Sequence, residues 1–393
     1  MKRLVALAIL CTMAMGSFAQ NVNDVWLLLQ NGNIPGAKKK IEECMPSNQN
    51  NAMAWLYRGN VYMKIYDRDQ SRLEKDPKYT SKDPEAAYIA YESFFKALEL
   101  DPKIKEKTPS GLVEPTFGQS TMGGPIYNMG VAAYKAKDIE KAEKYFRAAV
   151  KCFNLDPAYK EYAGSCYYQL AIIKQNDKEA YKEVLDEAVN AKTNVSLLYQ
   201  LAYDYYDKAN DMEQCGKILT TAKKNVKKTD ITDIYALELG YASKVKDTVR
   251  FEKAIKKAAD YDSIPKFVAT CATYLVNAKE FNKADTLLTS ALAKHPESYE
   301  LNNMMGYTYF MYADECRKLA DAAVKEHKYD LSGQYKTQER ELMATAHDWC
   351  EKAYNIKKDE KQNAMMLYQL KLQLGKDVPA ELKEFVEGTP SQN

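Results

Sequence analysis

The side chains best suited to acid–base or metal chemistry near neutral pH are the three histidines of this 393-residue chain. A metal or nucleophilic site needs such groups at a defined spacing, and His295, His327 and His347 show none. His347-Asp348 with nearby Glu341 could form an acid–base site, but a solvated helix face is the favoured explanation. The sequence contains no GxSxG, no phosphate-binding glycine loop and no HExxH. We predict a non-catalytic protein with no catalytic residue, no metal site and no cofactor.

Cysteines are the second group with reactive chemistry, and there are eight of them. Cys11 lies in the apolar N-terminal segment, and the other seven form an odd set without CxxC spacing, which indicates neither a disulfide framework nor a zinc site. Most of them fall at apolar positions of predicted helices, where a free thiol packs as a small hydrophobic group. Two pairs stay open as disulfide candidates, Cys152 with Cys166 and Cys316 with Cys350.

The N-terminus has the composition of a secretory signal. Two basic residues precede the apolar run Leu4–Gly16, and small residues follow at the positions that a signal peptidase reads, so we predict cleavage after Ala19. The apolar run is shorter than the roughly 20 residues that a membrane anchor needs. A lipoprotein signal at Cys11 is disfavoured by its early position and by the bulky residue before it. We expect an exported protein, periplasmic or outer-membrane-associated, with no transmembrane segment after cleavage and with peripheral membrane association left open.

The charge balance argues against nucleic-acid binding. Removing the two basic residues of the leader from 56 Lys and Arg leaves 54, which equals the 54 Asp and Glu. A nucleic-acid-binding protein normally carries a basic excess or a basic stripe. The one lysine-rich stretch, Lys223–Lys228, is short and is typical of a solvated helix end.

A small-large-small triplet with spacings of four and then three residues recurs along the chain. Residues at these spacings lie on one face of a helix, so each triplet predicts a helix whose small flanks let a neighbouring helix approach closely. The eight copies are Ala37, Ile41, Cys44; Ala90, Phe94, Ala97; Ala142, Phe146, Ala149; Tyr181, Leu185, Ala188; Cys215, Leu219, Ala222; Phe251, Ile255, Ala258; Ala284, Leu288, Ala291; and Ala346, Cys350, Ala353.

A second predicted helix precedes each triplet and carries its own small residue, such as Gly59, Gly130 or Gly306. Glycine inside a helix costs about 1 kcal/mol relative to alanine, so its recurrence indicates close packing. An aromatic and a small residue on the first helix, an alanine-bulky-alanine stripe on the second and a terminal proline, as at Pro102, resemble the tetratricopeptide repeat. The resemblance extends over nearly all of the mature chain, with 158–262 degenerate.

This resemblance implies an all-α fold, a right-handed α-solenoid of antiparallel helix pairs in which each pair covers its neighbour. The expected segments are a signal peptide 1–19, a degenerate helix pair 20–49, a repeat 50–105 with insert 67–84, a Gly/Pro-rich loop 106–124, consecutive repeats 125–297, a repeat 298–359 with helical insert 314–342, and capping helices with a tail 360–393.

The inserts have different expected structures. Residues 67–84 carry many charges and two Asp-Pro breaks, which predict a hydrated loop with a short helical turn. Residues 108–124 contain six prolines and glycines together with Phe117 and Met122, so we expect either a binding loop or a seal between two repeats. Residues 314–342 are nearly free of breakers and predict two extended helices, either a docking surface or a cap.

The resemblance also implies which residues face the concave side, because the first helices line it. Tyrosine, a rigid ring with a hydroxyl, is enriched at binding surfaces, and core packing is the competing explanation for so many tyrosines. The candidate concave residues are Tyr127, Tyr134, Tyr168, Tyr199, Tyr203, Tyr206, Tyr241, Tyr307 and Phe310.

One known binding mode of the family does not fit this chain. The subgroup that holds a peptide's terminal carboxylate uses asparagines, here Asn60 and Asn128, together with cationic residues. Leu56, Ala158 and Tyr162 stand at the cationic positions, so the charge-assisted hydrogen bonds are missing.

Two function classes remain open. The first is a scaffold that binds a peptide or partner protein through its concave, tyrosine-rich face in a cell-envelope assembly, which rests on family analogy. The alternative is a binder of a small molecule or glycan in a tyrosine-lined groove closed by the loop 108–124.

Overall fold

A computed structural model describes residues 22–155, 157–261 and 263–388, and over these residues the chain is helical and contains no strand. The predicted all-α fold of stacked helix pairs is confirmed. The leader 1–19 and the tail after residue 388 lie outside the described residues. The helices are α1 (22–30), α2 (Ile34–Cys44), α3 (Ala52–Lys75), α4 (Ala86–Leu100), α5 (Pro115–Lys135), α6 (Ile139–Phe153), α7 (Lys160–Lys174), α8 (Lys178–Asn190), α9 (Ser196–Lys208), α10 (Met212–Asn225), α11 (Ile231–Lys244), α12 (Thr248–Asp260), α13 (Pro265–Asn277), α14 (Phe281–Leu292), α15 (Tyr299–Lys325), α16 (Tyr329–Ile356), α17 (Lys361–Gln373) and α18 (Ala380–Glu387).

The turn inside several helix pairs has one recurring geometry. A residue with positive φ follows the first helix, as at Lys137 and Asn210 with φ of 62° and 59°. The next residue is the N-cap of the second helix, and its carboxylate accepts a hydrogen bond from a backbone N–H of the first turn: Asp138 from Lys141, and Asp211 from Gln214. This capping satisfies donors that the helix start would otherwise leave free.

Helix pairs close by setting the bulky residue of the second helix against the small residue of the first. A Cβ atom at Gly59 would lie 2.5 Å from the ring of Phe94, and one at Gly130 would lie 2.8 Å from that of Phe146. Seven of the eight triplets have both their bulky centre and their final small residue buried, and in six of these seven the first residue is buried as well, the exception being Tyr181. Phe251 and Ile255 of α12 are half-buried. The glycines therefore serve close helix contact, as the sequence predicts.

The chain divides into two compact units, and the division falls between Leu198 and Tyr199, inside α9. It therefore interrupts the stretch 125–297 that the sequence treats as one run of repeats. Unit 1 is built by α1–α8 and the start of α9, and the helix pair expected within 20–49 is present as α1 and α2. Unit 2 contains the remaining helices, and α17 and α18 cover its last repeat, as expected of capping helices.

The first insert is only partly the hydrated loop with a short helical turn that the sequence predicts: the prediction is wrong for 67–75, which are helical, whereas 76–84 form a largely exposed loop. Residues up to Lys75 continue α3, and the following segment folds back onto that helix through Asp69. Asp69 is buried and accepts hydrogen bonds from Tyr79 and Ser81. Burial raises the pKa of this carboxyl, and the bonds from Ser81, Arg68 and Tyr79 outweigh that effect and lower it.

The second insert is also corrected, because 115–124 is helix rather than loop. α5 begins at Pro115, where a missing N–H costs nothing, and the Glu114 carboxylate accepts a hydrogen bond from the N–H of Phe117 at 2.6 Å. The glycines that suggested a loop are packing positions: a Cβ at Gly118 would overlap the ring of Phe94, and one at Gly123 would lie 2.8 Å from Phe153.

The third insert follows the prediction of two extended helices. α15 has 27 residues and α16 has 28, and they pack against each other along the insert. Small residues on α15 make this contact close, since Ala313, Cys316, Ala320 and Ala323 are all buried.

Candidate binding surface

Three of the nine predicted concave residues lie in the protein interior. Tyr199, Tyr203 and Tyr206 on α9 are 1%, 7% and 6% exposed, so their rings offer almost no surface to a ligand. Burial raises the pKa of the Tyr203 phenol. The prediction is wrong for these three residues because α9 packs as a core helix, which is the alternative that the abundance of tyrosine left open.

The predicted residues of unit 1 keep some exposure. Tyr127 is half-buried with its ring centroid 5.5 Å from that of Phe146, and Tyr168 is half-buried on α7. Tyr134, near the end of α5, is 38% exposed. These three remain predicted contacts.

The other predicted residues of unit 2, Tyr241, Tyr307 and Phe310, are half-buried. The guanidinium of Arg250 covers Tyr241 at 4.4 Å from the ring centroid. Tyr307 and Phe310 pack against two separate core clusters. Each of the three rings thus has one side packed against other residues of the protein. Their contact with a ligand also stays a prediction.

The two predicted loop residues have opposite environments, although both lie on α5. Met122 is fully buried, so it is a core residue and not a contact for a ligand. Phe117, in the first turn of the helix, is 60% exposed.

Phe117 belongs to an aromatic surface that the sequence reasoning missed. It lines an open cleft of about 450 Å³ between α5 and the start of α7, together with Tyr159 and Tyr162. These tyrosines are 42% and 57% exposed, and their ring centroids lie 6.0 Å apart. Phe153, 7% exposed, forms the floor, with its centroid 5.5 Å from that of Tyr162. We call the residues Phe117, Phe153, Tyr159 and Tyr162 the aromatic face.

A sequence signal for this face existed but was weak. Tyr159 and Tyr162 are three residues apart and therefore share one side of the turn that opens α7. They stand in the degenerate part of the repeat, where the concave positions were assigned by offset from a small residue, and this offset selected Tyr168 instead.

The asparagine that would serve in a carboxylate clamp has another role. Asn60 is 1% exposed, and its side chain binds the backbone of Val113, accepting from the N–H at 2.7 Å and donating to the C=O at 3.0 Å. It also donates to the C=O of Leu56 at 3.0 Å. Its hydrogen bonds hold the segment before α5 in place, so it is not available to a ligand.

The histidine and cysteine side chains lie mainly in packed surroundings. His347 is buried on α16, with Nδ1 2.9 Å from Asp348 and 3.0 Å from the Lys376 ammonium, while Glu341 is exposed. Among the described residues, no group of three His, Cys, Asp or Glu side chains is arranged to hold a metal ion.

The seven cysteines from Cys44 to Cys350 are free thiols in the core, so neither proposed disulfide pair is formed. Within the described ranges, no helix is long and apolar enough to span a bilayer.

Comparisons with known proteins give matches among solved structures alone. No family model matches the chain, and no curated protein matches it. Solved structures do match. Yeast Tom70 is 15% identical over 91% of this chain and 82% of its own, with a TM-score of 0.37. A tetratricopeptide repeat protein from Parabacteroides merdae is 13% identical over 64% and 99%, with a TM-score of 0.35. Pseudomonas aeruginosa pilF is 15% identical over 62% and 90%, with a TM-score of 0.25.

The fold is the array of helix pairs that the tetratricopeptide resemblance implies. The repeated contact between a glycine on one helix and a bulky residue on the next carries this assignment. The likeness concerns the fold alone, and the ligands of those proteins are not transferred to this chain.

Proposed function

We propose that the chain is a non-catalytic scaffold that binds a partner protein through the aromatic face of unit 1. Three large rings around one open cleft, those of Phe117, Tyr159 and Tyr162, carry the proposal, since each is more than 40% exposed. Clustered exposed aromatic groups mark interaction sites, because a partner that covers them removes apolar area from water. Tyrosine also loses little conformational entropy on binding and supplies a hydroxyl for hydrogen bonds.

The location of the face supports a peptide-like ligand. It lies on α5 and α7, which are the first helices of successive pairs, and these line the concave side in the architecture that the sequence resembles. On α5, Thr121, one turn after Phe117, is exposed, and further along the helix Tyr127 is half-buried and Tyr134 is exposed. An extended apolar segment of a partner could therefore run along this side. We further propose an exported protein that acts in a cell-envelope assembly, on the basis of the signal-like sequence 1–19.

The alternative of a small molecule or glycan enclosed in a tyrosine groove has less support. The segment expected to close over such a ligand is part of α5 from residue 115 on, and Met122 is buried in the core. The central tyrosines of the groove, Tyr199, Tyr203 and Tyr206, are buried as well.

A peptide-selection experiment tests the proposal. Random peptides displayed on phage are selected on the mature protein, and the affinity of the best peptide is measured by calorimetry. We expect Phe117→Ser combined with Tyr162→Ser to weaken binding at least tenfold, about 1.4 kcal/mol, because two ring contacts are lost. The matched control is Tyr329→Ser, which removes a 65% exposed ring from the start of α16. Equal affinities for the parent protein and the double variant would refute the assignment of this face.

A further inference from the structure

A second cleft in unit 1 is lined by one first helix and two second helices and is distinct from the aromatic face. It occupies about 630 Å³ between α3, α4 and α6. Tyr88, Tyr91 and Ala148 form its buried floor, with exposures of 7%, 5% and 5%. Phe95, 45% exposed, stands at one wall, and its ring centroid lies 6.4 Å from that of Tyr91. The cleft thus has an apolar, aromatic base that is open to solvent.

The walls of this cleft are strongly cationic. A single carboxylate among the lining residues, that of Glu92, is hydrogen-bonded to the Tyr88 phenol. Three of the cations are balanced outside the lining, since Arg58 pairs with Glu42, Lys96 pairs with Glu99, and Arg147 pairs with Glu143 and Glu187. The cationic residues are Arg58, Lys96, Lys144, Arg147 and Lys151.

Lys144 and Lys151 differ from the other three cations because aromatic rings, not carboxylates, hold them. The Lys144 ammonium lies 4.1 Å from the ring centroid of Tyr88, and the Lys151 ammonium lies 5.3 Å from that of Phe95. Neither ammonium makes an ion pair with any carboxylate of the described residues. A ring attracts a cation without neutralising it, so the positive charge remains available at the wall. Holding a long side chain in place also reduces the entropy lost on binding an anion.

The spacing of these two ammonium groups limits the kind of ligand. They are seven residues apart on one side of α6, which places their Cα atoms about 10 Å apart along the helix. Side chains three residues apart in a polyproline II segment lie on one side at about 9 Å. Two carboxylates at that spacing could therefore reach both ammonium groups while the intervening residues cover the aromatic floor.

We propose that the cleft between α3, α4 and α6 binds an extended acidic segment of a partner protein, with Lys144 and Lys151 as the carboxylate contacts. The excess of positive charge in the lining and the aromatic floor favour an anionic peptide with apolar residues between its acids. A nucleic acid fits less well, because its continuous phosphate charge would approach Glu42, Glu92 and Glu99 as well, and the mature chain as a whole carries no basic excess.

The test uses the mature full chain and two synthetic probes, blocked peptides of sequence (Glu-Phe-Pro)₄ and (Gln-Phe-Pro)₄. We expect the acidic probe to bind at least tenfold tighter at low salt, and that difference to shrink at 0.5 M salt because the charges are screened. Lys144→Gln with Lys151→Gln should remove most of the difference. Lys144→Arg with Lys151→Arg should retain it, which excludes loss of folding as the cause.

The matched control is Lys325→Gln with Lys336→Gln, which removes the same charge from exposed positions on α15 and α16. A similar loss in this control would overturn the proposal, since a general charge effect would then explain the data. Equal binding of the two probes would also overturn it, as would tighter binding of single-stranded DNA or of phosphatidylglycerol vesicles. The variant Phe117→Ser with Tyr162→Ser should bind the acidic probe normally, so failure at one surface is distinguishable from failure at the other.

Discussion

Phe94 shows how single residues set the distance between helices in this array. Its ring lies in the core between α3 and α5, and it faces a glycine on each, Gly59 and Gly118. A methyl group at either glycine would contact the ring of Phe94, which is fully buried and flat and cannot move aside as a flexible chain end would. The two glycines are therefore fixed by packing, although both lie in helix interiors, where glycine is intrinsically unfavourable.

The substitution Gly118→Ala should destabilise unit 1 by about 1–3 kcal/mol, because overpacking outweighs the gain of up to about 1 kcal/mol in helix propensity. Gly333→Ala, at an exposed position of α16, is the control. Apart from its chain neighbours and its own helix backbone, no atom lies within 4 Å of the position of its Cβ, so only the propensity gain remains and stability should rise. Urea unfolding followed by circular dichroism measures both changes.

A double-mutant cycle identifies the cause of the Gly118 effect. If the Phe94 ring is the obstacle, Phe94→Leu should reduce the cost of Gly118→Ala, and the two changes should be non-additive by at least 0.5 kcal/mol. Additive effects would show that the alanine methyl meets something other than this ring.

At the scale of elements, the sequence predicts helices reliably where the small-large-small triplet is intact. It fails where the same amino-acid composition is compatible with both a loop and a helix. The triplets around Phe94 and Phe146 predict α4 and α6 because apolar periodicity requires a packed face. The glycines of 115–124 suggest a loop because composition does not distinguish a flexible glycine from one that allows close contact. Likewise, the charges of 67–75 do not reveal that α3 continues with Asp69 buried beneath its own insert.

A buried ion cluster joins three helices of unit 2. Glu238 on α11 has a side chain only 3% exposed, and it accepts hydrogen bonds from Lys223 on α10 at 2.7 Å and from Arg250 on α12 at 3.0 Å. Burial raises the pKa of this carboxyl, but the bonds from Arg250 and Lys223 outweigh burial, and the net pKa lies below the usual value. The carboxylate is therefore more stable in the folded state than in the unfolded chain.

Glu238→Gln should lower the free energy of unfolding by about 1–3 kcal/mol at pH 7, since charge-assisted bonds inside the protein are lost. A carboxyl whose pKa is lowered by folding contributes its full stability above the unfolded pKa and loses it as the pH falls through the folded pKa. The difference between parent and variant should therefore be constant from pH 6 to 8 and should shrink below about pH 4.5.

Urea titrations at each pH measure this difference, and Glu252→Gln, on the exposed side of α12, is the control. A difference that persists unchanged to pH 3 would show that the ionised carboxylate is not what stabilises the cluster.

For the whole molecule, the repeat pattern predicts the architecture better than it predicts the surfaces. Each helix pair must present the same packing face to its neighbours, so the triplet pattern recurs along the sequence and stays recognisable even where single copies differ from it. The residues of a binding surface, by contrast, do not recur from repeat to repeat. Tyr159 and Tyr162 carry no periodic signal, and the cationic cleft depends on side chains of three helices that the sequence separates, such as Arg58 and Lys151. The interior of α9 was misassigned because exposed and buried tyrosines have the same spacing.

The seven thiols from Cys44 to Cys350 allow this repeat character to be tested along the whole chain. Each is buried and unbridged, and burial raises the pKa of Cys152 and of Cys271 to about 12. At pH 8 such a group is thiolate in about one molecule in 10⁴, so modification by a thiol reagent requires local opening. In a stack stabilised by nearest neighbours, end repeats open more readily than internal ones.

We therefore expect Cys44, on α2 near the N-terminal end and 7% exposed, to react before the internal Cys166 and Cys271, which are fully buried. Pulsed alkylation of the folded chain from residue 20 on, read peptide by peptide by mass spectrometry, gives the order. The same reaction in 8 M urea should label all seven, and fewer would indicate a disulfide. One common native rate for every thiol would contradict stepwise opening, because it would mean that the repeats unfold together as a single cooperative unit.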